Sequence, residues 1–366
     1  MKRFFRLLGA GGKWILLSLI GVEIFSFLLI SFTNLVLFGT LWEGSQAYYD
    51  AYALFLNAEG VQPTLHNPPE SESDTAGKQP RRLWLFGGST MRGGWVQPGE
   101  TIASYLAEMV NRPENLEKMV VTNYGENSFN SLLETKYLQK LLIDTDRPPD
   151  LVIFYDGAND CAYFNQYRTP QAHYAYRRVQ GLIESYRKSY FSLLKPLNAA
   201  LYSSFSLEVF DKFRQIAVPV HTANPAPRKF VLEAEKRYDH VRRLAGAYGA
   251  DFLLVWQPFL WVETGEVDPA IKAQDQSLAI FGRKYCLARR NFKTTNDALV
   301  ARLKDKPYFV DFRNILCQRT TQVYEADGVH LKPEGNRMVA AKLAELLKAK
   351  GWLGKQAVSN HPDNKL

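Results

Sequence analysis

From Leu83 onward the chain alternates short apolar runs with longer segments whose apolar positions recur at helical spacing. The runs "LWLFGG", "MVVTNYG", "DLVIFYDGAND", "DFLLVWQP" and "PYFVDFR" are brief and rich in β-branched and aromatic residues, the character of strands buried on both faces. Between them, Thr101–Arg112, Ser131–Asp144 and Gly335–Lys350 carry the period of amphipathic helices. Strands alternating with such helices predict an α/β fold with a parallel sheet. Loops leaving the carboxyl ends of the strands in these sheets converge on a crevice, so polar residues at those ends are the first candidates for chemistry.

The N-terminal pattern is of another kind. Trp14 to Leu41 is apolar except for Glu23, Asn34 and small polar residues, longer than the ~20 residues that cross a bilayer. One transmembrane anchor over 14–41 is predicted, behind a tail of residues 1–13. A cleaved signal peptide would have an apolar region of about 7–15 residues and a small-x-small site, which this stretch lacks. Lys2, Arg3, Arg6 and Lys13 precede the span, while Glu43 and Asp50 follow it. The positive-inside rule therefore places the tail in the cytoplasm and the remainder on the periplasmic or extracellular side. Glu23 is costly in hydrocarbon, roughly 2.5–3.5 kcal/mol on insertion scales for comparable charges. It calls for protonation, snorkelling or pairing with a membrane-protein partner. Residues 42–82 read as a juxtamembrane segment and linker, because "EGVQPTLHNPPESESDTAGKQPRR" has no hydrophobic period. The main domain is then 83–355, followed by a polar tail at 356–366.

Composition narrows the classes. With 366 residues, 46% of them hydrophobic, the chain can bury one large core. The net charge of +8 suggests an anionic partner, yet four of those charges lie in the first 13 residues. No basic block with interleaved aromatics follows, so no nucleic-acid partner is expected. Cys161, Cys286 and Cys317 fit neither a zinc pattern nor a disulfide scaffold. If a bridge forms, Cys286–Cys317 is the pair to test, while Cys161 reads as a small buried residue.

Polar residues do collect where the apolar runs stop. The first run ends at Gly87-Gly88-Ser89, the second at Asn123-Tyr124-Gly125 and the third at Asp156-Gly157-Ala158-Asn159-Asp160; the late loop "DGVHLKPEGN" carries Asp327 and His330. Ser89 is a hydroxyl nucleophile that needs a base. His330 can take and return its proton near neutral pH. Asp327, three residues earlier, can hold the imidazole tautomer. The Ser89 and Gly125 backbone N–H groups and the Asn159 amide are candidate oxyanion donors. On this reading a Gly125→Ala change keeps its backbone donor and is expected to be milder than loss of the Asn159 amide, unless the added methyl enters the pocket.

These blocks resemble those of the SGNH hydrolase superfamily, the GDSL-like esterases and lipases. "FGGST" matches the first block at Ser89, "NYGENS" the second at Gly125, "GAND" the third at Asn159 and "DGVH" the last at Asp327 and His330, in the family's order. Gly88 departs from the pattern, since the name-giving motif has Asp there. The resemblance implies a flavodoxin-like three-layer sandwich and ester hydrolysis by a Ser-His-Asp triad, with no metal and no cofactor.

Competing motifs are weaker. Met91 breaks G-x-S-x-G, and "GAGGKW" lacks the spacing of a phosphate loop. Asp156 and Asp160 have no further ligand nearby in sequence and read as structural. His66, His173, His221, His240 and His361 read as surface residues. The aromatic insertion 161–228 suggests a lid or acceptor groove over the crevice, or a subdomain that completes the core. Pro269–Lys304 adds a second helical segment.

The expectation is a membrane-anchored serine esterase acting on acyl esters, O-acetyl first, with an extracytoplasmic polysaccharide or envelope glycan as substrate. An O-acyltransferase using the same triad, a lipase or lysophospholipase, and a non-catalytic assembly factor are the alternatives.

Overall fold

The computed structural model describes residues 2–38, 41, 47–69, 79–188, 204–278 and 286–354. A parallel sheet of five strands organises the domain: β3 (Arg81–Gly87), β4 (Met119–Asn123), β5 (Leu151–Asp156), β6 (Asp251–Trp256) and β7 (Phe309–Asp311), in the order β4-β3-β5-β6-β7. That order is the flavodoxin-like one, and its switch point lies between β3 and β5. Leu83 pairs with Leu151 and Phe86 with Phe154, which brings the ends of these two strands side by side.

The side-chain period of two divides the core between the sheet's faces. Trp84 and Phe86 of β3 join Val152, Phe154, Leu254 and Trp256 on one face. Helices α4 (Ser131–Asp144), α8 (Pro225–Ala247) and α10 (Cys286–Leu303) cover that face through Leu138, Tyr238 and Leu299. Leu83, Leu85, Ile153 and Val255 point to the other, covered by α3 (Ile102–Val110) and α11 (Pro333–Ala349) through Leu106 and Leu343. The parallel α/β fold expected from the alternation, and the three-layer sandwich implied by the resemblance, are therefore formed.

Helix α1 runs from Lys2 to Phe38, so the expected tail is already helical. Within it Gly12–Val36 is long and apolar enough to cross a membrane, a test that a signal sequence also passes. Several of its polar residues face the rest of the chain. Ser26 and Ser31 are buried and Glu23 accepts hydrogen bonds from the backbone N–H groups of Phe205 and Ser206, at the start of α7 (Phe205–Ala217). Within this chain Glu23 thus meets a helix N-terminus, whose N–H groups lack intrahelical acceptors. Trp14, Leu19, Phe25, Leu28, Phe32 and Val36 are exposed on the remaining faces.

Part of the predicted linker is folded. Strands β1 (Ala47–Asp50) and β2 (Leu54–Asn57) form an antiparallel ribbon, and the chain beyond them lies against the sheet edge. Asn67 accepts from Val121 N–H at 2.9 Å and donates to Val121 C=O at 2.8 Å, and Gln62 bridges Asn123. These contacts satisfy backbone groups of β4 that an edge strand otherwise leaves open. Residues 70–78 and the tail from 355 lie outside the described residues.

Among the described residues, the helices of the aromatic insertion pack on one another and on α1 and α10. Helix α5 (Ala158–Tyr167) and α10 receive α7 on one side, and α1 packs on the other. Helix α6 (Tyr176–Lys188) is tied to α7 by Arg177–Asp211 and Arg178–Glu208 ion pairs. The second helical segment is α9 (Pro269–Leu278) followed by α10, with 279–285 outside the described residues.

Candidate active site

Strand β3 ends in Gly87-Gly88, and Ser89 opens the short helix α2 (Ser89–Arg92). Close approach explains both glycines. A Cβ on Gly87 would lie 2.7 Å from Met91 Cβ and 3.0 Å from the Tyr155 carbonyl, and one on Gly88 would lie 2.5 Å from Asn159 Nδ2. An Asp at position 88, as in the family's name-giving motif, does not fit this placement of Asn159.

Ser89 Oγ is 2.7 Å from His330 Nε2, although 241 positions separate them in sequence. The other ring nitrogen, Nδ1, contacts Asp327 Oδ2. Asp327 Oδ1 accepts from the backbone N–H groups of Val329 and His330, at 2.8 and 2.9 Å. Gly328 makes that turn possible, because its φ is +72° and a Cβ there would lie 2.8 Å from the Trp261 indole. Burial pushes the Asp327 carboxyl up, but hydrogen bonds from His330 and the two backbone N–H groups outweigh it and hold it below its ordinary value. The contacts allow proton transfer from Ser89 to the imidazole, with the carboxylate steadying the charge that forms.

The expected oxyanion donors are arranged unequally. Ser89 N–H is at the first position of α2, where no intrahelical acceptor exists. Asn159 Nδ2 donates one hydrogen to the Phe129 carbonyl at 2.6 Å, which leaves a second hydrogen on the same nitrogen in a cleft that Gly88, Ser89 and Asn159 line together. Gly125 N–H instead donates to Asn123 Oδ1 at 3.0 Å. Asn123 Nδ2 in turn donates to the Met91 carbonyl at 2.9 Å, so this side chain clamps the nucleophile helix to the Gly125 turn. A Cβ on Gly125 would lie 2.4 Å from Arg92 N and 2.8 Å from Met91 C. Those are backbone atoms of α2, so the added methyl does intrude: Gly125→Ala displaces the helix carrying Ser89, and the exception to a milder effect applies.

Several residues that matter here escaped the sequence reading. Arg92 is buried behind Ser89 and pairs with Glu126 at 3.4 Å and Glu59 at 3.1 Å, so a residue of the supposed linker braces the site. Trp95 is 47% exposed, with its ring centroid 5.3 Å from that of His330. Thr90 Oγ1 donates to Gln257 Oε1 at 3.0 Å, which joins α2 to the end of β6. The only local signal for Trp95 was an aromatic following Gly93-Gly94 directly after the serine block.

The acidic residues of the third block have structural partners. Asp160 accepts from Ser131 Oγ at 2.5 Å and from Arg237 at 3.4 Å. Asp156 accepts from Tyr238 Oη at 3.0 Å. Burial and the Asp160 charge push Asp156 up to about 7, and burial also raises Glu134 well above its ordinary value. Among the described residues no cluster of His, Cys, Asp and Glu has the makings of a metal site. His66, His221 and His240 are on the surface or close to it, and His361 lies outside the described residues. His173 is buried instead, its Nδ1 2.6 Å from the Tyr174 carbonyl, and burial lowers its pKa. Cys161 and Cys317 are buried free thiols; the Cys286 side chain lies outside the described residues.

No match was found among curated proteins. Est24, a carbohydrate acetylesterase from Sinorhizobium meliloti, is 15% identical with a TM-score of 0.40, covering 74% of this chain and 99% of its own. The Mycobacterium smegmatis aryl esterase is 18% identical with a TM-score of 0.35, covering 74% and 99%. The esterase EstA from Pseudoalteromonas is 11% identical with a TM-score of 0.38, covering 74% and 98%. The profile of the GDSL-like Lipase/Acylhydrolase family matches residues 83–343. That stretch is most of the chain and holds every block of the site, so the protein belongs to the GDSL-like lipase/acylhydrolase family and is an ester-hydrolysing serine hydrolase.

Proposed function

We propose that Ser89 attacks the acyl carbon while His330 Nε2 takes its proton, and that Asp327 orients the imidazole and balances its charge. The imidazolium then protonates the leaving alcohol, and water, activated by the same nitrogen, releases the acid and restores Ser89. The carrying observation is the continuous contact from Ser89 Oγ through the His330 ring to Asp327. Ser89 N–H and the second Asn159 hydrogen serve the oxyanion, and Gly125 serves it by sharing the hydrogen now given to Asn123. Asn159→Ala is expected to lower kcat by about 10²–10³ with little change in KM, the signature of a donor used mainly in the transition state. A raised KM at unchanged kcat in steady-state hydrolysis would instead make Asn159 a substrate-positioning residue.

The substrate we propose is a short acyl ester, O-acetyl first, on an envelope glycan outside the cytoplasm, reached by a domain held at the membrane through α1. Three features support it: a small cleft beside Ser89 that Gly88, Asn159 and Val329 also line, the exposed Trp95 ring next to His330, and the positive charges before the apolar span. The test uses the full-length protein in proteoliposomes with p-nitrophenyl acetate, butyrate, octanoate and palmitate, an acetylated polysaccharide and a lysophospholipid. Turnover should be greatest for acetyl and fall at least tenfold by octanoate, with acetate released from the polysaccharide. Preference for palmitate or lysophospholipid would establish a lipase, and acetyl transfer to added sugar without free acetate an acyltransferase.

A further inference from the structure

The contact between Glu23 and α7 fixes a depth. Gly12–Val36 spans 25 residues, about 37 Å at 1.5 Å per residue, against a hydrocarbon core of ~30 Å. Glu23 is one residue from the centre of that span. Its carboxylate holds the first N–H groups of α7, and the Phe27 and Phe205 rings touch edge to face at 5.1 Å. Beyond this point the two helices flank one cavity, lined by Ile30, Ser31 and Asn34 of α1 and by Glu208, Asp211 and Lys212 of α7. Helix α7 therefore starts near the midplane of any bilayer that α1 crosses and follows α1 toward the domain's side.

The side chains suit that depth. Phe210 and Phe213 of α7 are 57% and 60% exposed, and Leu182 and Ile183 of α6 are 46% and 57% exposed. Phe210 and Phe213 are five and eight residues beyond Phe205, about 7 and 12 Å along the axis, inside a leaflet half-thickness of ~15 Å. Among the described residues five charges of these helices are paired: Arg177 with Asp211 at 2.6 Å, Arg178 with Glu208, and Lys212 with Glu208 at 3.2 Å. Pairing of this kind is what makes ionisable groups tolerable near lipid.

We propose that α6 and α7 are seated in the membrane leaflet on the domain's side, with Leu182, Ile183, Phe210 and Phe213 against lipid acyl chains. The inference rests on α1 spanning the bilayer. It makes the aromatic insertion a second membrane-contact element, which holds α5, and Asn159 in its first turn, close to the lipid surface.

The test places nitroxide labels by Phe210→Cys, Phe213→Cys and Leu182→Cys in the full chain carrying Cys161→Ala, Cys286→Ser and Cys317→Ala, reconstituted in phosphatidylcholine/phosphatidylglycerol vesicles. Phe25→Cys on α1 is the lipid reference and Tyr248→Cys, at the exposed end of α8, the water reference. Acetyl-ester hydrolysis by each labelled protein reports folding. Collision with oxygen over collision with a water-soluble nickel chelate should be at least fivefold higher at 182, 210 and 213 than at 248, matching 25. Nickel access at these sites equal to that at 248, with 25 still lipid-like, overturns the proposal and leaves the anchor standing. Low collision with both reagents shows a protein covering this face, and a water-like Phe25→Cys label shows that α1 does not span; either result also overturns it.

Discussion

Ser89→Ala is expected to fold as the parent does and to lose ester hydrolysis by about 10⁴–10⁶ in kcat, the range seen when one member of such a unit is removed. The physical reason lies in the division of labour at 2.7 Å between Ser89 Oγ and His330 Nε2. Without the hydroxyl there is no covalent intermediate, and the imidazole has no proton to move. His330→Ala should be nearly as damaging, and the double variant little worse than either single one, because the residues act on one proton. Steady-state kinetics on p-nitrophenyl acetate, with circular dichroism for folding, checks the set. Parent-like turnover in Ser89→Ala would place the nucleophile elsewhere, and covalent labelling of Ser89 by a fluorophosphonate is the companion measurement.

Asp327→Asn should cost about 10⁴ in kcat while leaving the loop in place, since an amide in that position favours the wrong imidazole tautomer. Asn keeps an oxygen for the Val329 and His330 N–H groups, so the turn survives. The same change alters acid stability. Asp327 is depressed in the folded state, so its stabilisation is complete above the unfolded value near pH 4 and is lost as pH falls through the lower folded value. Parent and variant should therefore differ most in urea midpoint at neutral pH and converge below about pH 4. A constant difference across that window would remove the charge from the explanation.

The candidate site was legible because its chemistry is written in short local blocks. Ser89, Asn159 and the Asp327/His330 pair each sit where an apolar run or a late loop ends, and parallel sheets bring such ends together. Gly125 was legible as a position, but the outcome of its substitution was not. Its neighbour across the gap is the backbone of α2, about 33 positions earlier in the chain, and no local pattern reports such an approach. Trp95, Arg92 and Gln257 were missed for the same reason, since each acquires its role from a side chain far away in sequence. His173 was placed on the surface because a lone histidine among polar residues carries no periodic signal of its burial.

The sequence by itself determined the α/β class, the apolar N-terminal helix and the four blocks of the esterase site. All of these depend on periodicity or on residues within a few positions of one another, and local sterics and burial suffice to specify them. Tertiary structure alone decided that residues 59–69 brace the sheet edge and Arg92, that the Asn159 amide lies against Gly88, and that Glu23 caps a helix about 180 positions away. A charge, a glycine or a polar loop has no preferred partner until the fold delivers one. Its desolvation and its steric surroundings are properties of that partner, which the order of residues along the chain does not contain.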